Sequence, residues 1–254
     1  LDVIDGGTGT DTLLVTSDNG NTAFELAQAT IRNIETIVVR GSADVEADVS
    51  GSNITGLNAI DVTRGANVVV TAGASTNVNV NGATGNIGIA GGKDIALVDA
   101  TAGNDIVIGN TTDEVYAAGN ITVTDTKQNA GDITIDGGNA VTVVATSTVS
   151  SGDIIVGGTK EARGAVTVTQ NSDADGPADL NAGGIGVARG STVTVNANMT
   201  VAAVDENASA DHALGTIEVT GDGKTTAVTI TQTVDITEFE EADVAVVKEL
   251  HTVT

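Results

Sequence analysis

Short runs in which apolar and polar residues alternate recur along most of this 254-residue chain. Alternation with a period of two places successive side chains on opposite faces of a strand, so each run is expected to bury one face. Gly, Asn and Asp separate the runs and supply the positive φ angles that tight turns need. The chain is therefore predicted to be all-β. Ten such runs cover residues 60–62, 68–70, 78–80, 87–89, 106–108, 121–123, 133–135, 141–143, 166–168 and 193–195.

The spacing of these runs suits two architectures. Most adjacent runs start roughly eight to twelve residues apart, as in a β-solenoid of stacked strand repeats or a series of antiparallel β-sandwiches. Over residues 57–170 the spacing is steady and favours the elongated solenoid. After residue 171 it loosens, and a sandwich is equally compatible. We therefore divide the chain into an amino-terminal region (1–56), a strand-repeat region (57–170) and a second β-rich region (171–254).

An internal repeat supports a structural array. Residues 152–158 and 165–170 resemble residues 215–221 and 227–232, and a weaker copy covers 131–137 and 140–143. Each copy is predicted to form two strands joined by a turn. No catalytic residue recurs at equivalent places, which is typical of a repeated structural unit.

Two short helices are predicted to cap the strands. Thr22 and Glu25 have capping-box spacing, and apolar residues follow at helical intervals as far as Ile34. Thr237 and Glu240 repeat that spacing before an apolar series that reaches Leu250. Helices at these places would cover strand edges and prevent uncontrolled strand addition.

Composition excludes several classes of function. The 34 acidic and 10 basic residues give a net charge of −24, which excludes nucleic acid as a partner because phosphate contacts need clustered cations. With no cysteine, thiolate catalysis and disulfides are excluded as well. No run reaches eighteen apolar residues, so no transmembrane segment is predicted. The chain starts at Leu1 without a leader-like sequence, and we expect an internal or processed piece.

Few side chains suit catalysis. Only Phe24, Tyr116 and Phe239 are aromatic, which argues against an enzyme and in particular against a carbohydrate-active β-helix enzyme. His212 and His251 are the two histidines, and their separation does not suit a shared metal. His212 is predicted to be a solvated surface residue. We predict that the chain is not an enzyme.

The amino-terminal segment 6–13 reads Gly-Gly-Thr-Gly-Thr-Asp-Thr-Leu and fits the calcium-binding nonapeptide of RTX proteins. Glycines allow a turn whose carbonyl oxygens point at one cation, and an aspartate adds a charged oxygen ligand. Asp5, Gly7, Gly9 and Asp11 are the candidate calcium-site residues. An ordinary glycine-rich turn is the alternative. A degenerate second copy, residues 102–109, adds Asn104 and Asp105 as candidates.

A third candidate calcium site lies in an acidic segment between the ninth and tenth runs. Asn171, Asp173, Asp175 and Asp179 occupy positions 1, 3, 5 and 9 of an EF-hand-like loop. Position 12 is Ala182 instead of the bidentate glutamate, so a calcium loop between strands is favoured over a true EF-hand. The alternative is an acidic, solvated loop.

These elements together resemble a known family. The Gly-Gly-Thr-Gly-Thr-Asp turn, segment 23–39 with its Asn-Ile-Glu-Thr-Ile sequence, and repeats ending in Ala-Val-Thr-Val-Thr-Gln resemble type-I-secreted RTX surface-layer and β-strand-repeat proteins of Gram-negative bacteria. The resemblance implies a secreted cell-surface coat that folds and assembles with Ca²⁺. Its partners would be further copies of itself and cell-surface polysaccharide. The alternative is a stalk or binding module of a large secreted adhesin.

Overall fold

The structure is a computed structural model that describes residues 2–17, 29–109, 112–174, 179–201, 212–236 and 251–253. All regular elements in these ranges are strands, which confirms the all-β prediction. None of the described segments forms a helix long and apolar enough to cross a membrane.

Most strands belong to two long parallel sheets. The strands of sheet 1 are β2 (Thr12–Ser17), β4 (Thr36–Gly41), β7 (Ala59–Arg64), β9 (Asn77–Asn81), β11 (Ile95–Asp99), β13 (Ile121–Asp125), β15 (Val141–Ser147), β17 (Val166–Ala174), β20 (Thr192–Val201) and β23 (Ala227–Ile236). The strands of sheet 2 are β5 (Val45–Asp48), β8 (Val68–Ala72), β10 (Ile87–Gly91), β12 (Ile106–Ile108), β14 (Ile133–Ile135), β16 (Ile154–Val156), β19 (Ile185–Ala188), β22 (Ile217–Thr220) and β24 (His251–Val253).

Two small parallel sheets complete the described fold. One contains β1 (Val3–Asp5), β3 (Thr30–Arg32) and β6 (Ile54–Thr55), and the other contains β18 (Leu180–Asn181) and β21 (His212–Ala213). Each strand of the first directly precedes a sheet 1 strand, and each strand of the second lies on the path from sheet 1 to sheet 2.

The chain passes alternately through the two long sheets and so forms coils. Each strand pairs in parallel with the equivalent strand one coil away, for example Val78 with Ile95 and Val193 with Val228. These pairs are 17 and 35 residues apart in sequence, so coil length varies while register is kept. This is a β-solenoid. Strands after residue 171 continue the same parallel sheets, so they do not form an antiparallel sandwich.

The core consists of inward-facing β-branched residues that stack from coil to coil. One stack in sheet 1 and one in sheet 2 contain only side chains that are at most 2% exposed. Each buried valine or isoleucine contributes about 1.5–3 kcal/mol. The narrow interior explains why the core contains so few aromatic residues. The stacks are Ile37, Ile60, Val78, Ile95, Ile121, Val141, Val166 and Val193 in sheet 1, and Val45, Val68, Ile87, Ile106, Ile133, Ile154, Ile185 and Ile217 in sheet 2.

The internal repeat corresponds to one structural unit. In each copy the first half is a sheet 2 strand and the second half is the following sheet 1 strand, as in β14–β15, β16–β17 and β22–β23. The predicted two-strand unit with a turn is therefore confirmed.

The predicted amino-terminal helix is wrong over its described part. Residues 30–32 form strand β3, in which Ile31 is fully buried and pairs with Ile4 and Ile54. The apolar residues have helical spacing, but the backbone of residues 30–32 pairs with strands β1 and β6 of the neighbouring coils. The earlier part of that helix and the second helix, residues 237–250, lie outside the described residues.

Glycines let the coils approach closely where the chain turns into sheet 2. A Cβ atom on Gly152 would meet the Gly131 carbonyl, one on Gly183 would meet Gly152, and one on Gly215 would meet Gly183. Gly131 is packed in the same way against the Asn104 carbonyl. These four glycines form a glycine column that sets the coil-to-coil distance at this corner.

Candidate functional site

The glycine turn, residues 6–11, connects β1 to β2 and lies beside the following coil. Gly7 and Gly9 have φ angles of 83° and 134°, in the left-handed region that favours glycine. Gly6 lies so close to the Asn33 carbonyl that a Cβ atom would overlap it. The glycines of the predicted calcium motif are therefore required by the backbone itself.

Asp5 ties the glycine turn to the next coil. Its Oδ1 accepts hydrogen bonds from Gly7 N (3.0 Å) and Asn33 Nδ2 (2.8 Å), and its Oδ2 accepts one from Arg32 Nε (2.9 Å). The Asn33 amide, the Gly7 N–H and the Arg32 guanidinium together lower the pKa of Asp5. Both carboxylate oxygens are thus used for structural contacts.

Asp11 has a different environment. Its Oδ2 atom is buried and has no hydrogen-bond partner among the described residues. Its backbone N–H donates to Glu35 Oε2 at 2.7 Å, so a second carboxylate from the next coil lies beside it. The in-register pairing of Thr12 with Thr36 brings Asp11 and Glu35 together. Glu35 was not among the predicted site residues.

The donor set around Asp11 suits calcium, which prefers hard oxygen ligands. An unpaired buried carboxylate oxygen is costly unless a proton or a cation compensates it. Among the described residues, however, no three Asp, Glu, His or Cys side chains are grouped so that they could hold a metal. The described residues thus bring two carboxylates, those of Asp11 and Glu35, to the glycine turn.

The second predicted pair, Asn104 and Asp105, does not form one site. Asn104 is buried, and its Nδ2 donates to Asp99 Oδ2 at 3.1 Å inside the solenoid. Asp105 is exposed on the outer surface. The two side chains lie on opposite sides of the solenoid wall because consecutive residues alternate in direction as the chain enters β12.

Asp105 instead belongs to a row of side chains that immediately precede the sheet 2 strands. In six successive coils the Asn or Asp Oδ1 atom accepts a hydrogen bond from the backbone N–H at the equivalent position of the next coil, at 2.7–3.1 Å. We call this row the Asx ladder. Its members are Asp44, Asn67, Asn86, Asp105, Asp132 and Asp153.

The third predicted site starts later in the chain than the sequence indicated. Asn171 and Asp173 lie within strand β17, so the loop begins only after Ala174. Asn171 Oδ1 accepts a hydrogen bond from Asn198 Nδ2 at 3.0 Å, whereas Asp173 is exposed opposite Thr200. Asp175 lies outside the described residues, and Asp179 is exposed before β18. An EF-hand-like loop starting at residue 171 is therefore incorrect.

A second group of carboxylates faces inward. Asp99 and Asp125 are each 1% exposed and pair in register on β11 and β13. Burial, with a further contribution from Asp99, raises the pKa of Asp125 to about 6, although the Lys127 N–H partly opposes the shift. Sequence reasoning missed this pair because both aspartates occupy inward positions of their strands, where a polar residue is not expected.

His212 is buried, at 4% exposure, and neither ring nitrogen has a hydrogen-bond partner among the described residues. The prediction of a solvated histidine is therefore wrong. Its backbone pairs with Leu180 in the two-stranded sheet, and this pairing turns the ring inward.

No protein-family model matches the chain, and no curated protein or solved structure is significantly similar to it.

Proposed function

We propose that the chain is a structural segment of a bacterial surface layer, secreted by a Gram-negative cell, that folds and self-associates with Ca²⁺. The observation that carries this proposal is the outward row of Asp105, Asp132 and Asp153 in the Asx ladder. These carboxylates lie on successive sheet 2 strands, about 4.8 Å apart, and belong to none of the ion pairs of the described residues. Such a row offers repeated charged contacts to divalent cations and to neighbouring copies.

The charge balance supports a role for cations. The chain has 34 acidic residues, and three ion pairs are formed within its described part: Arg32–Asp5, Lys93–Asp94 and Arg189–Glu161. All three involve exposed side chains and contribute little to stability. Calcium would reduce the mutual repulsion of the remaining carboxylates, and the site at Asp11 and Glu35 would hold one ion between two coils.

The proposed role is architectural and not catalytic. The solenoid presents hydroxyl, amide and carboxylate groups on flat outer faces, which suits extended contacts with other copies or with surface polysaccharide. Negative-stain microscopy and light scattering of the purified chain, with calcium and with chelator, test the proposal. Ordered arrays or filaments are expected only with calcium. A chain that stays monomeric in calcium at high concentration would contradict the coat and favour the adhesin stalk.

A further inference from the structure

The outer face of sheet 2 carries a column of in-register residues, one from each of the eight strands from β5 to β22, with three apolar side chains, two glycines and one threonine between two glutamates. Val69, Val107 and Ile155 protrude and are 47%, 46% and 40% exposed. Gly88 lies in register between Val69 and Val107, and Gly186 follows Ile155. Single exposed apolar side chains are ordinary on a protein surface, but these three lie in one in-register column.

The two glycines leave open depressions between the protruding side chains. A Cβ atom on Gly186 would have no neighbour within 4 Å, and one on Gly88 would lie 3.8 Å from Val69 Cγ2. Ile155 and Glu218 border the depression at Gly186. The column therefore has two open positions, Gly88 and Gly186, beside protruding apolar side chains.

The pattern is complementary to its own reverse. From β5 to β22 the column reads Glu, Val, Gly, Val, Thr, Ile, Gly, Glu. The ninth strand, β24, adds Thr252 beside Glu218 and would lie beyond the paired eight strands. A two-fold axis parallel to the strands would place a second copy face to face with reversed coil order and an unchanged position along each strand. Val69 then faces Gly186 of the other copy, and Gly88 faces Ile155. Val107 faces Thr134.

The paired faces would bring carboxylates of the two copies opposite each other, so a cation is needed to offset their repulsion. In the same arrangement Glu46 faces Glu218 of the other copy, and Asp105 of the Asx ladder faces Asp132. Asn86 faces Asp153, which is a favourable amide–carboxylate contact. Carboxylates that face each other repel in the absence of cations and can share calcium when it is present.

The size of the face suits a weak, repeated contact. Eight strands about 4.8 Å apart span about 34 Å, and five residues of strand span about 16 Å, so a pair would bury about 1,000 Å² in total. That area is near the lower limit for a specific interface. Such a contact holds firmly only when many copies are arrayed.

We infer that sheet 2 is a calcium-dependent, self-complementary interface through which two copies of this chain pair face to face with antiparallel solenoid axes. The inference rests on the proposed self-assembly and identifies sheet 2 as the surface through which two copies would associate. It differs from assembly through strand edges at the solenoid ends, because the pairing buries a sheet face.

Cysteine crosslinking tests this register, since the chain has no cysteine of its own. Val69→Cys and Gly186→Cys variants, purified separately and mixed in calcium, are expected to form a heterodimer with a short bis-maleimide crosslinker. In the control, Val69→Cys is mixed with Gly88→Cys, because Gly88 of the second copy lies four coils, about 19 Å, from the position that Val69 faces. Circular dichroism confirms that each variant is folded.

The outcomes separate the inference from the proposed function. Crosslinking of Val69→Cys with Gly186→Cys in calcium, lost in chelator, supports the interface. Equal crosslinking with Gly88→Cys, self-crosslinking of Val69→Cys alone, or no crosslinking overturns it. Microscopy of the uncrosslinked wild type tests the coat proposal separately. Calcium-dependent arrays without the expected crosslink support the coat and contradict only the sheet 2 interface. The absence of arrays contradicts the coat.

Discussion

The glycine turn and the Asx ladder are two corners of one solenoid that use aspartate differently. In the ladder, each Oδ1 accepts the N–H of the next coil, and the same contact recurs from Asp44 to Asp153. In the glycine turn, Asp5 is fully engaged by Arg32, Asn33 and Gly7, while Asp11 keeps one buried oxygen without a partner.

The two corners differ in whether each carboxylate oxygen named here has a hydrogen-bond donor. Every ladder Oδ1 has one, whereas Asp11 Oδ2 has none among the described residues. Where every coil supplies an N–H at the equivalent place, an Asn or Asp side chain completes the backbone hydrogen bonding of the corner. Where the repeat breaks, Glu35 Oε2 of the next coil accepts the Asp11 N–H, and Asp11 Oδ2 has no donor among the described residues. Function is therefore most readily sought where the regular pattern fails.

The glycine column, at the corner that precedes the sheet 2 strands, is expected to tolerate an added side chain least. Gly183→Ala would place a Cβ atom against the Gly152 carbonyl of the preceding coil, and we expect a loss of more than about 3 kcal/mol or failure to fold. Gly186→Ala is the matched control because open space surrounds it, and its effect should stay within about 0.5 kcal/mol. Urea unfolding followed by circular dichroism measures both. Similar losses in the two variants would show that the glycine column does not set the coil distance.

The glycine turn is expected to bind calcium through Asp11 and Glu35. Calcium at a hundred times its dissociation constant should stabilise the wild type by about 2.7 kcal/mol per ion, and Asp11→Asn or Glu35→Gln should lose one such increment. Asp5→Asn should destabilise the chain equally with calcium and with chelator, because Asp5 acts through its hydrogen bonds. Thermal melts of the four proteins in both conditions provide the measurement. An Asp11→Asn effect that is independent of calcium would make the glycine turn purely structural.

The inward carboxylates should make stability depend on pH. The pKa of Asp125 is about 6 in the folded chain against 3.8 as the ordinary value, so the folded state binds the proton more tightly. Stability should therefore fall as pH rises from about 4 to about 6, and Asp125→Asn should recover about 2 kcal/mol at pH 8 but almost nothing at pH 4. Unfolding in chelator at both pH values checks this. Destabilisation by Asp125→Asn at pH 8 would mean that the ionised carboxylate is favourable there.

A single member of the Asx ladder should matter least. Asp132→Ala removes the acceptor of the Asp153 N–H and should cost about 1 kcal/mol. Asp132→Asn retains an acceptor oxygen, as Asn67 and Asn86 do naturally, and should change stability by less than about 0.5 kcal/mol. Chemical unfolding of the two variants distinguishes them. An equal loss in both would show that the charge of Asp132, and not its hydrogen bond, stabilises the corner.

The strands were predictable because apolar alternation reports burial directly. All ten predicted runs are strands, and the core stacks follow from them. Contacts between coils were harder to predict. Asp11 was identified from a local motif, whereas Glu35 is 24 residues away and becomes its neighbour only through the pairing register. Asn104 and Asp105 were grouped because they are adjacent in sequence, although adjacent residues next to a strand point to opposite sides.

Polar residues inside the solenoid concealed the true extent of β17. Gln170 and Ser172 are buried and continue the inward alternation as far as Ala174, but their polarity made the segment resemble an acidic loop. The burial of Asp99 and Asp125 was not predicted for the same reason, since both side chains are polar. Sequence patterns detect burial only when the buried residues are apolar.

The coil-by-coil pairing of the two long sheets has a consequence for how the chain acquires its shape. Each described strand of these sheets, apart from the first and last of each sheet, bonds to strands one coil before and after it, so a coil needs only one completed neighbour as a template. Folding can therefore start at one place and propagate along the solenoid, as expected for quasi-one-dimensional proteins. A chain delivered end first, from a ribosome or an export channel, can gain stability with every coil that emerges, and each added coil hinders its return.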